Sequence, residues 1–154
     1  MESSLEEKRK VFDKWDMENF FLNALSIIGI NDPKKIEEKY QKYQGKNMAL
    51  VFEKLRSPSS RKQIIENEKD YKKSASILYL ILKEKFLEEK ERMSDTNSFL
   101  EKYLENAVKM AEISGDSEKI REILKEKIGM LLQKEELDEA RKLQKILKNY
   151  ETEL

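Results

Sequence analysis

The stretch Ser74-Ala75-Ser76-Ile77-Leu78-Tyr79-Leu80-Ile81-Leu82 carries no charge, in a chain where 40% of residues are Asp, Glu, Lys or Arg. Its apolar and aromatic residues fall on every side of a helical wheel, so as a helix it must be buried all round. A short apolar run also suits a buried strand, and periodicity alone does not separate the two. Charged helix-formers flank this run, and no segment of the chain alternates at period two to pair with it. It therefore reads as the core helix that the other elements cover.

Composition supports that reading. Four Gly and two Pro in 154 residues are too few for the turns of an ordinary β protein, whereas helices joined by short loops need few. The 31 basic residues cancel 31 acidic ones, and the apolar residues group at helical spacing, a folded rather than a disordered pattern. The charge-rich, Cys-free composition resembles that of thermophile proteins.

Outward from the core run, the chain reads as a series of helices. Ser4-Leu5-Glu6-Glu7 is a capping box that opens a helix with Leu5, Val11, Phe12 and Trp15. Polarity changes near Asp16, and Phe20 to Ile28 form a second apolar stretch ending at Gly29. Asn31-Asp32-Pro33 starts a helix with Ile36, Tyr40 and Tyr43, closed by Gly45. Asn47 caps a short helix with Leu50, Val51, Phe52 and Leu55, which Arg56-Ser57-Pro58-Ser59 breaks. Ser60-Arg61-Lys62-Gln63 is a further capping box, and a long helix is expected from there to about Arg92, bending or breaking near Asp70 to Ser76. Ser94 to Asn97 is the next loop. Ser98-Phe99-Leu100-Glu101 opens a helix that stops at Ser114-Gly115. Asp116 or Ser117 caps the next, and the last runs from Leu137 to Tyr150.

The expected fold is an all-α bundle of six or seven helices. Residues 1–93 form an N-terminal bundle around the core helix. Residues 98–154 form an antiparallel three-helix segment, packed with the first as one domain. The pair Leu124-Lys125-Glu126-Lys127-Ile128 and Leu137-Asp138-Glu139-Ala140-Arg141-Lys142-Leu143 resembles in part the tetratricopeptide helix pair and the small coiled hairpin of bacterial excision-repair proteins. It departs from the first by one residue of spacing and by Glu136 at the turn glycine, and from the second at Leu137, Gln144 and Lys145, so no family is assigned.

Several chemistries are excluded. Without His there is no Ser-His-Asp triad and no imidazole base; without Cys there is no thiol nucleophile, disulfide or thiolate metal site. The glycines at 29, 45, 115 and 129 make no phosphate-cradling loop. Glu84, Glu88 and Glu91 share a helical face, which interleaved Lys and Arg make a solvated, ion-paired one. Carboxylate, Lys or Tyr chemistry remains open to an enzyme, a third reading, but no cofactor and no catalytic or metal residue is expected. The N-terminus lacks the apolar stretch of a signal peptide, and the longest uncharged run, Asn19 to Asn31, is too short to span a bilayer. A cytoplasmic protein without a membrane contact is expected.

Two surfaces stand out. Lys54 to Lys73 carries seven basic and three acidic residues in a chain of zero net charge. Lys54, Arg56, Ser59, Ser60, Arg61, Lys62, Lys69, Lys72 and Lys73 are the candidate phosphate or nucleic-acid contacts, the serines capping a helix whose free N–H groups attract anions. Arg141, Lys142, Lys145 and Lys148 on the final helix are a weaker strip, since the helix dipole alone favours cations there. Phe12, Trp15 and Phe20 form an aromatic cluster that is ordinarily core and alternatively a docking site for a protein partner. The leading functional expectation is a non-catalytic accessory or adaptor subunit of a larger protein. The alternative is an accessory subunit of a nucleic-acid-processing enzyme that contacts the phosphate backbone through residues 54–73.

Overall fold

A computed structural model of the chain describes residues 12–29, 48–91 and 98–151. These form seven helices: α1 (Lys14–Ile28), α2 (Met48–Arg56), α3 (Pro58–Glu66), α4 (Glu68–Glu91), α5 (Ser98–Ser114), α6 (Ser117–Gln133) and α7 (Leu137–Glu151). There is no strand among the described residues, so the all-α class holds. The capping box at Ser4, the helix over Asn31 to Gly45 and the loop at Ser94 to Asn97 lie outside the described residues.

The core run is helical and enclosed. Ile77, Leu78, Tyr79, Ile81 and Leu82 are each 1% exposed or less, and only Ser76 and Leu80 are half-buried. One cluster of buried side chains extends from Met17 of α1 through α2 to α5 and on to Leu124 of α6, with α4 at its centre. The most extensive helix contact is that of α4 with α5.

Three boundaries differ from the sequence expectation. The first concerns α3, which begins at Pro58 and not at the capping box of Ser60. Proline has no N–H to lose at the first helical position, and its fixed φ is already helical. Ser57 takes the N-cap position, in an extended conformation. The second difference is the break expected near Asp70 to Ser76, which falls at Asn67 instead (φ −114°, ψ 113°). The Asn67 side-chain carbonyl accepts the Asp70 N–H at 3.1 Å, so it ends α3 and caps α4. The third is near the N-terminus, where Asp13 caps α1 by accepting from the Asp16 N–H at 2.9 Å, which places Trp15 in the first turn of the same helix as Phe20.

The turns between α5, α6 and α7 are two and three residues long, which makes successive helices antiparallel neighbours. Gly115 supplies the left-handed residue (φ +69°) after α5. Asp116 then caps α6, accepting the Glu118 N–H at 3.0 Å and the Lys119 N–H at 3.4 Å. Partial burial raises the pKa of its carboxyl, but the Lys119 ammonium and these N–H groups outweigh that and hold it below the usual carboxylate range.

The faces of α4 and α6 are joined by polar contacts as well as packing. The Tyr79 hydroxyl lies 3.2 Å from the Lys119 carbonyl and 3.1 Å from Glu122 Oε1, its one proton shared between the two acceptors. Glu122 also receives Lys83 at 3.2 Å, and Glu126 receives Lys90 at 3.0 Å. Tyr79, Lys83 and Lys90 stand one and three turns apart on one face of α4. Burial, then the Glu122 carboxylate, pushes the Tyr79 phenol far above its ordinary pKa, so it remains a neutral donor at every working pH.

Urea denaturation checks this packing. Leu78→Ala is expected to cost about 2–5 kcal/mol and Tyr79→Phe about 1–2 kcal/mol, against ~0.5 kcal/mol or less for Trp15→Ala. Asp116→Ala should cost about 1 kcal/mol at neutral pH. Because the Asp116 pKa is depressed in the folded state, its contribution is present above the ordinary carboxylate pKa and lost as pH falls through the folded value. The gap between Asp116→Ala and the parent should therefore close below about pH 4.

Candidate functional site: a groove between α1 and α7

Helix α7 differs from the other six. Ala140, Leu143, Ile146, Leu147 and Tyr150 recur at helical spacing, yet Ala140 alone is buried. Leu143, Leu147 and Tyr150 are half-buried against the core, and Ile146 is 44% exposed. The cause is that α7 packs chiefly on α6, so its apolar stripe is wider than its support.

Across from it stands α1, and between them runs a groove of about 690 Å³. One wall carries Leu143, Ile146 and Tyr150 of α7, and the facing wall carries Phe20 and Ile27 of α1. Ile120 and Leu124 of α6 and Val108 of α5 add apolar surface. The rest of α5 presents a polar row, Lys102, Glu105, Asn106, Lys109 and Glu112, spaced i, i+3, i+4, i+7 and i+10 on one face of the helix. Lys109 stands 5.2 Å from the Phe20 ring centroid and 4.0 Å from the Glu112 carboxylate. Asn106 donates its amide to the Lys102 carbonyl at 2.8 Å. The site thus offers aliphatic and aromatic contacts on two sides and hydrogen-bonding groups on a third.

The expected aromatic docking residues divide. Phe20 lines the groove, and Phe12 packs edge-on against it with centroids 5.7 Å apart. Trp15 is 75% exposed and stands about 140° round the helix from Phe20, outside the groove. Sequence reasoning did not find the groove itself, because its walls come from helices far apart in the chain. The signal that was present is α7, a strongly amphipathic helix at the end of the bundle.

The basic stretch is rearranged relative to expectation. Arg61 is 8% exposed and points inward, where Nη1 donates to the Leu55 carbonyl at 2.8 Å and Nη2 lies 3.9 Å from Glu18. Ile64 and Ile65 follow it by three and four residues, so it shares their core-facing side of α3, a signal legible in the sequence. Arg61 is therefore not placed as a surface phosphate contact. Lys72 pairs with Glu68 one turn back. Lys54, Arg56, Lys62, Lys69 and Lys73 are exposed and pair with no acid among the described residues. Ser59 and Ser60 lie inside the first turn of α3, and Ser57 makes no side-chain cap to a helix N–H, its hydroxyl lying 3.5 Å from that of Ser59 instead. On α7, Arg141, Lys142, Lys145 and Lys148 are exposed, with Lys142 3.7 Å from Glu139.

No group of three acids among the described residues could hold a metal ion. No helix among them is long and apolar enough to cross a membrane. No protein-family model, curated protein or solved structure matches the chain.

The position of Arg61 makes a prediction. Arg61→Ala should lower stability by about 2 kcal/mol, because a buried cation and its carbonyl acceptor are separated. Lys62→Ala should fall within ~0.5 kcal/mol of the parent. Thermal unfolding of the two variants side by side checks it.

Proposed function

We propose that the chain is a non-catalytic helical adaptor, an accessory subunit that seats one element of a larger protein in the groove between α1 and α7. The observation that carries this reading is the incompletely covered apolar stripe of α7, with Ile146 facing a concave wall that also holds Phe20 and Ile27. Apolar surface on both sides of a groove is stabilised when an apolar element displaces water from it. An amphipathic helix does this with anchors one turn apart, while a polar rim fixes its register. The Lys102 to Glu112 row is suited to that second task. The lack of His and Cys supports the non-catalytic part of the reading.

A photo-cross-linking residue placed at Ile146, in the chain's native cell, tests the proposal. The expected product joins position 146 to an apolar helical segment of another protein, and Ile146→Asp should weaken that complex at least tenfold while leaving the circular dichroism spectrum unchanged. A complex indifferent to Ile146→Asp, or one captured from position 62 and not from 146, would contradict it.

A second reading rests on Lys54, Arg56, Lys62, Lys69 and Lys73, exposed and paired with no acid among the described residues: contact with a nucleic-acid backbone as part of a larger processing enzyme. Such binding releases counterions and weakens steeply with salt. A gel shift over a salt series is its check, with affinity and salt slope both reduced by the triple change Lys62→Glu, Lys69→Glu, Lys73→Glu. No shift at low salt removes this reading.

A further inference from the structure

We infer that the chain pairs with a second copy of itself through the outer face of α1, Trp15 of each copy seating on Leu22 of the other. The inference does not depend on what the α1–α7 groove receives, because Trp15, Asn19 and Leu22 do not line that groove.

Two properties set this face apart. The first is exposure. Trp15, the single tryptophan of the chain, is 75% exposed, and Leu22 is 38% exposed. Seven residues are close to two turns, so the two side chains share one face, with Asn19 between them. The second is charge. Each of the other six helices carries Lys, Arg, Asp or Glu among its exposed residues. On α1, beyond Lys14, the exposed residues are Trp15, Leu22, Asn23 and Ser26, in a chain where 40% of residues are charged. The charges that border the face, Asp16 and Glu18, are half-buried, and Glu18 lies 3.9 Å from Arg61 of its own chain. An aromatic anchor among uncharged neighbours, with charge kept to the border, is the composition of an interface centre.

Symmetry points to a second copy as the occupant. A two-fold contact sets one surface against itself, so a charged face would oppose like charges, and this face opposes none. With the two α1 helices antiparallel and the axis beside Asn19, Trp15 comes level with Leu22 of the second copy, and Leu22 with Trp15 of the second copy. Apolar surface then meets apolar surface on both sides of the axis. Asn19 donates to the Trp15 carbonyl at 2.9 Å. Its other amide hydrogen and its side-chain oxygen remain for Asn19 of the second copy, since an amide both donates and accepts. A central Asn pair of this kind fixes register between helices. One helix face offers less than the ~800 Å² per partner of a standard stable interface, so the dimer is weak and forms reversibly with concentration.

Sedimentation equilibrium and tryptophan emission on the intact chain, from about 1 µM to about 1 mM, test the pairing. The mass should rise from monomer toward dimer, and the emission should shift to the blue over the same range as Trp15 leaves water. Leu22→Glu should weaken the dimer by about tenfold or more with an unchanged circular dichroism spectrum. Ile146→Asp, in the groove, should leave it unaltered. A monomer mass throughout overturns the proposal: blue emission at every concentration would mean that the chain's own residues cover Trp15, and red emission that the face stays open or serves another protein. A dimer indifferent to Leu22→Glu, or one lost with Ile146→Asp, overturns it as well.

Discussion

The enclosure of Ile77 to Leu82 is the constraint on which the other helices depend. An uncharged, all-round apolar helix has no face to offer water, so its neighbours must surround it: α1 and α3 on one part, α5 along its length, α6 beyond. Packing alone does not fix rotation about the helix axis. Tyr79 does, because its hydroxyl must meet acceptors on α6 or remain buried without a partner. The ion pairs from Lys83 and Lys90 continue that alignment toward the C-terminal end of α4. Being partly exposed, they contribute orientation more than stability.

Distance from that core sets how firmly each element is held. Helices α4, α5 and most of α6 bury whole side chains and form the fixed body. α7, beyond α6, buries one alanine fully, half-buries Leu143, Leu147 and Tyr150 against the core, and turns Leu143, Ile146 and Tyr150 to a groove. Local opening is least costly where few apolar contacts are lost. The same shortage of contacts that leaves α7 loosely held also creates the concave apolar surface on which the adaptor reading rests. The polar α5 wall keeps that surface from being a simple extension of the core: its lysines and glutamates need water or a partner's polar groups beside them.

Much of the fold was legible in the sequence because its signals are local. The charge-free run gave α4, Gly115 with Asp116 gave the α5–α6 turn, and the helical spacing of the apolar residues from Leu137 to Tyr150 gave α7. Where reading failed, two local signals competed. Ser60 has the spacing of a capping box, but Pro58 two residues earlier starts the helix. The serines of the 74–76 region suggested a break, but Asn67 makes a stronger cap. The basic stretch shows the same limit at the level of a site. Counting charges placed Arg61 on the surface, whereas its spacing from Ile64 and Ile65 directs it to the α1–α2–α3 junction. The groove was not readable at all, since it arises from the arrangement of α1 relative to α7, which sets Phe20 across from Leu143, Ile146 and Tyr150, far apart in the chain, and from no motif in either helix.

Hydrogen exchange followed by mass spectrometry on the intact chain tests most directly the claim of a fixed body centred on α4 with a loosely held α7 at a groove. The account predicts that amides from Ile77 to Leu82 exchange only on global unfolding, while those from Leu143 to Tyr150 exchange at least a hundredfold faster, through local opening. Protection of α7 equal to that of α4 would contradict it.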